Sequence, residues 1–115
     1  MSEPTNARDM IAVYAKHGWK LSRVLLSEAT RTGLGESGVK DLFGESRISR
    51  SDFDAIWFER GAKGGATAIE LRSLTAEPFA LFEIVPPDEN PEPFRARLEL
   101  RMAERASKPP SAKSH

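Results

Sequence analysis

The stretch FDAIWFERGAKGGATAIELRSLTAEPFALFEIV, residues 53–85, decides the fold of this chain. Its first run, Phe53 to Arg60, sets Ile56 and Phe58 on one side and Ala55 and Trp57 on the other, as alternation in a strand requires. The second run, Thr67 to Leu74, alternates Ile69 and Leu71 with Glu70 and Arg72. The third, Phe79 to Val85, opposes Ala80, Phe82 and Ile84 to Phe79, Leu81 and Val85. The Gly61-Ala-Lys-Gly-Gly65 loop and the Thr75-Ala-Glu-Pro78 turn are too short for parallel crossovers, which take a dozen or more residues. The three runs therefore predict an antiparallel meander.

Upstream, Met10, Val13, Tyr14 and His17 recur at helical spacing, which predicts a helix from about Thr5 to His17 with Gly18 after its end. Trp19 to Ser27 reads as a strand, with Trp19, Leu21 and Leu25 on one face and Val24 and Leu26 on the other. Apolar residues on both faces suit an interior position in a sheet. Ser27 can cap a helical turn, and Glu36 to Phe43 reads as a short helix closed by Gly44.

Downstream, Pro86-Pro-Asp-Glu-Asn-Pro-Glu-Pro93 is a stiff acidic spacer. Asn90 as N-cap and Pro91 in the first turn start a terminal helix over 94–106, with Phe94, Leu98 and Met102 as its apolar stripe. The expected order is α-β-α-β-β-β-α: an α+β domain with one four-stranded, mostly antiparallel sheet packed by helices in two layers. Residues 1–5 and 107–115 hold almost nothing to bury, so they are expected to be a flexible N-terminus and a disordered tail flanking a single domain over 6–106.

Composition narrows the function. With 115 residues there is room for one domain. The chain has no Cys, which excludes a disulfide framework, thiolate metal sites and a cysteine nucleophile. Seventeen basic residues balance seventeen acidic ones, which argues against a surface made for polyanions. No basic segment followed by an apolar core marks a secretory signal, and no run approaches the ~20 apolar residues of a membrane span. A soluble cytoplasmic protein is expected.

The charge balance hides a local asymmetry. From Pro93 to His115 six basic residues face two acidic ones, and Arg97, Arg101 and Arg105 stand at i, i+4, i+8. Such a helix can meet nucleic acid or an acidic protein face, although no aromatic side chains interleave for base stacking.

Gly33-Leu-Gly-Glu-Ser-Gly38 fits the pattern G-x-G-x-x-G, but no strand runs directly into it and only a short helix follows, so the phosphate-cradling context is missing. Gly35-Glu-Ser37-Gly38 brings its second glycine one place early for a nucleophile elbow. His17, at a helix end, suits a dipole-stabilising cap.

Asp54 on one run and Glu70-Leu71-Arg72 on the next form a hairpin pairing of acids. In this, residues 54–72 resemble the PD-(D/E)xK nuclease superfamily. The resemblance implies Asp54 and Glu70 as Mg²⁺ ligands, with Arg72 at the position of the family's lysine. Arg72 departs from that pattern, because a guanidinium cannot give up its proton to act as a base. No Pro precedes the acid, and a third strand follows where the family has a helix.

Trp57 stands on the second face of its strand and needs a cover. The terminal helix, a second subunit or a foreign partner could each supply it. With no complete catalytic constellation, the expected role is non-catalytic protein binding with no cofactor, through Trp57 and the Arg97, Arg101 and Arg105 face, with self-association as one form. The alternatives are a Mg²⁺-dependent phosphodiesterase at Asp54, Glu70 and Arg72, and weak nucleic-acid binding through the terminal helix.

Overall fold

The computed structural model describes residues 7–74 and 79–107. Three α-helices and five strands follow in the order α1 (Ala7–Lys16), β1 (Lys20–Leu26), α2 (Glu28–Phe43), β2 (Arg47–Arg50), β3 (Ala55–Gly61), β4 (Thr67–Ser73), β5 (Ala80–Val85) and α3 (Pro91–Ser107). A short 3₁₀ turn, Lys63–Gly65, joins β3 to β4. The expected N-terminal segment, the turn over 75–78 and nearly all of the C-terminal tail lie outside the described residues.

The α+β class and the β3-β4-β5 meander are as expected, but the sheet has five strands rather than four, in the order β2-β1-β3-β4-β5. The additional strand, β2, pairs in parallel with β1, placing Ile48 beside Val24. A four-residue segment with arginines at both ends offers too little alternation to announce itself. Helix α2 is the crossover that a parallel pair needs.

The layering also differs. Val24, Leu26, Ile56 and Phe58 pack with Ala7, Val39 and Phe43 under α1 and α2. Leu25, Ala55, Trp57, Ile69 and Leu71 pack with Leu98 and Met102 of α3. Neighbouring strand residues point to opposite faces, so helices cover both sides and the domain has three layers, not two. Coverage on both faces is why all of Ala55, Ile56, Trp57 and Phe58 are buried.

A bulge in β1 corrects the face assignment of Leu21, and Trp19 just before the strand likewise packs with Val24 and Leu26 rather than with Leu25. Leu21 pairs with Phe58 and Arg23 with Trp57, leaving Ser22 as the extra residue. Leu21 thus joins Val24 and Leu26 under α1 and α2, while Arg23 joins Leu25 beneath α3.

Within α2, Gly35 takes φ 73° and ψ 167°, a region essentially reserved for glycine, and breaks the helix into two segments. The glycines of 33–38 therefore serve a helix-to-helix bend. Ser27 caps the first segment, accepting from the Thr30 N–H, and Asn90 Oδ1 accepts from the Glu92 N–H at 3.0 Å to open α3.

Candidate functional site

Asp54 lies just before β3, where its carboxylate faces the start of α2. Oδ1 accepts from the Ser27 backbone N–H at 2.7 Å and Oδ2 from the Thr30 hydroxyl at 2.6 Å. Ser27 Oγ in turn meets Thr30 Oγ1 at 3.1 Å. Both oxygens are thus engaged in tying the α2 N-terminus to β3.

Glu70 is not nearby. It pairs with Phe58, four residues along from Asp54, and accepts the hydroxyl proton of Tyr14 from α1. Arg72 Nη1 donates to the same Tyr14 oxygen at 3.3 Å. The structure brings together Glu70 and Arg72, with Tyr14 between them, and leaves Asp54 apart. Among the described residues, no group of three or more His, Cys, Asp or Glu side chains could hold a metal ion.

The helical spacing of Tyr14 places it in a buried stripe, and nothing in that spacing reveals its hydroxyl's polar partners. Its ring stacks on Phe58 with centroids 4.0 Å apart and meets Trp19 edge-on at 6.0 Å. Trp19 then meets Phe82 of β5 at 6.3 Å and lies under the Arg60 guanidinium at 5.2 Å. An aromatic row, Phe58-Tyr14-Trp19-Phe82, so crosses the sheet.

Burial raises the Tyr14 pKa above its ordinary 10.0, and the hydrogen bond to Glu70 raises it further, while Arg72 pulls the other way. The phenol therefore keeps its proton at neutral pH and acts as a donor to Glu70. Tyr14 is the chain's sole tyrosine, so tyrosinate absorbance titrates it directly. A midpoint above 10.0 is expected in the folded chain. With the folded pKa above the unfolded one, this group's contribution to stability is complete below pH 10.0 and is lost as pH rises through the folded value. Wild type should accordingly lose more alkaline stability than Tyr14→Phe; equal alkaline slopes would contradict the assignment.

Trp57 presents no surface. It is 0% exposed beneath α3, so the terminal helix, not a partner, covers it. Its Nε1–H donates to Glu99 Oε2 at 2.7 Å. The buried Arg95 lies 5.6 Å over the ring and pairs with Glu59 at 3.1 Å and Glu92 at 2.9 Å. Trp57 is thereby removed as a binding residue.

The terminal arginines lie on the exposed side of α3. Arg97 stacks on Phe94 at 4.7 Å and Arg105 on Phe79 at 4.0 Å. These two guanidiniums roof the flanks of the chain's own core, and Arg101 lies between them in the stripe.

The exposed large apolar side chains are elsewhere: Val13, Phe82, Ile84 and Leu100. Phe82 and Ile84 are 54% and 44% exposed, on the face of β5 opposite Leu81 and Val85. Helices α1 and α2 cover that face over β1 and β3, and Tyr14 of α1 reaches across β4 to Glu70 and Arg72, so that the exposed part of the face is the outer strand β5. Alternation in 79–85 sets Ala80, Phe82 and Ile84 against Phe79, Leu81, Glu83 and Val85, and the one charged residue stands on the side that α3 covers, so the sequence pointed away from water at Phe82 and Ile84.

Comparison of the chain with models of protein families, with curated proteins and with solved structures gave no match. Among the described residues, no helix is long and apolar enough to cross a membrane.

Proposed function

We propose that this chain is a non-catalytic binding domain that meets a protein partner through the exposed β5 edge of its sheet, at Phe82 and Ile84. One observation carries this reading. Two large apolar side chains stand side by side and exposed on an edge strand, at the margin of a face whose inner strands the chain's own helices cover. Edge strands in water are ordinarily protected by Lys, Pro, a bulge or a cover. β5 is Ala-Leu-Phe-Glu-Ile-Val, with neither Lys nor Pro, and its register with β4 runs unbroken from Ala80 to Val85.

The polar groups behind this surface support binding rather than turnover. Tyr14 holds its proton, and Glu70 is engaged by it. Asp54, which the phosphodiesterase alternative needs beside Glu70, is committed to α2. The nucleic-acid alternative rests on Arg97, Arg101 and Arg105, two of which stack on the chain's own rings.

The test is quantitative partner capture by tagged wild type and by Phe82→Asp. The variant is expected to lose the partner at least tenfold while its melting temperature is nearly unchanged, because the side chain is more than half exposed. Undiminished capture by the variant would end the proposal.

A further inference from the structure

We infer that the partner of β5 is a second copy of this chain, joined antiparallel about a two-fold axis at Phe82 into one continuous sheet. This rests on the binding surface proposed above and names its occupant. The hydrogen-bond phase of the sheet fixes the register. Ser73 N–H donates to the Phe79 carbonyl at 2.8 Å, so Phe79 and, by alternation, Leu81, Glu83 and Val85 turn their backbone groups toward β4. Ala80, Phe82 and Ile84 then aim their N–H and C=O groups out of the open edge.

A two-fold axis normal to the sheet keeps each side chain on its own face, so only even residues can oppose even residues. Setting Phe82 opposite its own copy also sets Ala80 opposite Ile84 twice. All three outward-facing residues then form hydrogen-bonded pairs, each exchanging two bonds. Sliding by one step to oppose Glu83 to Glu83 would set like charges against each other and push Ala80 against Pro86, which has no N–H to give. In the favoured register Glu83 faces Leu81, and the two Phe82 rings meet on the open face.

Charge agrees with this pairing. Arg105 stacks on Phe79, which comes level with Val85 of the other copy. The exposed Asp88 and Glu89 follow Val85 after Pro86 and Pro87, so basic and acidic groups stand at both ends of the joined strands. A formal charge of zero leaves no net repulsion between copies. One strand pair is small beside the ~1,200–2,000 Å² of a standard stable interface, so association should be concentration dependent.

The chain has no Cys, which permits a register test in the full protein. Phe82→Cys places two thiols on Cα atoms about 5.5 Å apart, within disulfide reach. Mild oxidation should yield a covalent dimer. Ile84→Cys alone sets its thiols about 13 Å apart and should not cross-link, whereas Ala80→Cys combined with Ile84→Cys should. In sedimentation equilibrium, wild type should rise from monomer to dimer mass with concentration. Ile84→Pro, which removes an outward N–H and no bond to β4, should stay at monomer mass. Wild type at monomer mass throughout would overturn the inference, as would preferential cross-linking of Ile84→Cys or Glu83→Cys. If wild type is monomeric and Phe82→Asp still abolishes capture of a different protein, self-pairing falls and the binding surface stands.

Discussion

Trp57→Ala should cost about 3–5 kcal/mol, the range for deleting a large aromatic side chain from a packed core. A domain of this kind holds only ~5–15 kcal/mol in total, so the urea midpoint should fall by a large fraction. The reason lies in what the indole touches. It sits between β3 and α3 with Leu71, Leu81, Leu98 and Met102, and its N–H anchors Glu99 of the helix. Removing the ring opens a cavity under α3 and leaves the Glu99 contact unmade. Trp57→Phe restores most of the apolar volume and forfeits the hydrogen bond, so it should lose only about 1–2 kcal/mol. Circular dichroism in a urea series separates the two variants. A hot-spot tryptophan would behave differently: Trp57→Ala would fold normally and lose a partner. A native urea midpoint for Trp57→Ala would therefore contradict the buried placement.

Trp57 also marks how far the sequence could be read. Alternation located β3 and β4 within one or two residues, because each carries several apolar residues on a strict two-residue period. The same alternation required a cover for both faces of β3, yet the expectation of two layers did not follow that requirement through to helices on both sides. What alternation could not say was which helix covers which face. Nor could it find β2, since Arg47–Arg50 is held by pairing with β1 rather than by its own apolar content. The bulge at Ser22 was equally silent, because one unpaired residue leaves no mark on composition and yet moves Leu21 to the other face.

The candidate site was less legible, for a related reason. Tyr14 and Glu70 are 56 residues apart, and Phe82 reaches the aromatic row only because β5 lies at the sheet edge. Strand order follows from long-range pairing, and local pattern does not encode it. Alternation sets Phe82 and Ile84 on one side of the last strand without saying what covers it, and in the fold they stand in solvent. Asp54 and Glu70, by contrast, looked like a pair because their runs are consecutive. The register sets them four residues apart along the hairpin, and each carboxylate has its own donors.

Asp54 gives the second large effect. Asp54→Ala strips both acceptors from the start of α2 and strands the Ser27 N–H and the Thr30 hydroxyl, which are partly buried. Hydrogen bonds to a charged acceptor contribute about 1.5–3 kcal/mol each, and partial exposure lowers the combined effect, so a loss of about 2–3 kcal/mol is expected. Asp54→Asn should recover part of it. Its carbonyl can accept from Ser27, and the Thr30 hydroxyl can turn to accept from the new amide. The comparison separates this role from metal ligation. An acid held for a cation would be relieved by neutralisation in the metal-free protein, so Asp54→Ala would leave stability unchanged or raised, and added Mg²⁺ would stabilise wild type alone. The clasp predicts the opposite on both counts: a marked fall in the variant's urea midpoint, and a wild-type midpoint that Mg²⁺ does not move. The ordering Asp54, then Asn, then Ala, with Asn intermediate, is what two directed hydrogen bonds demand of this position.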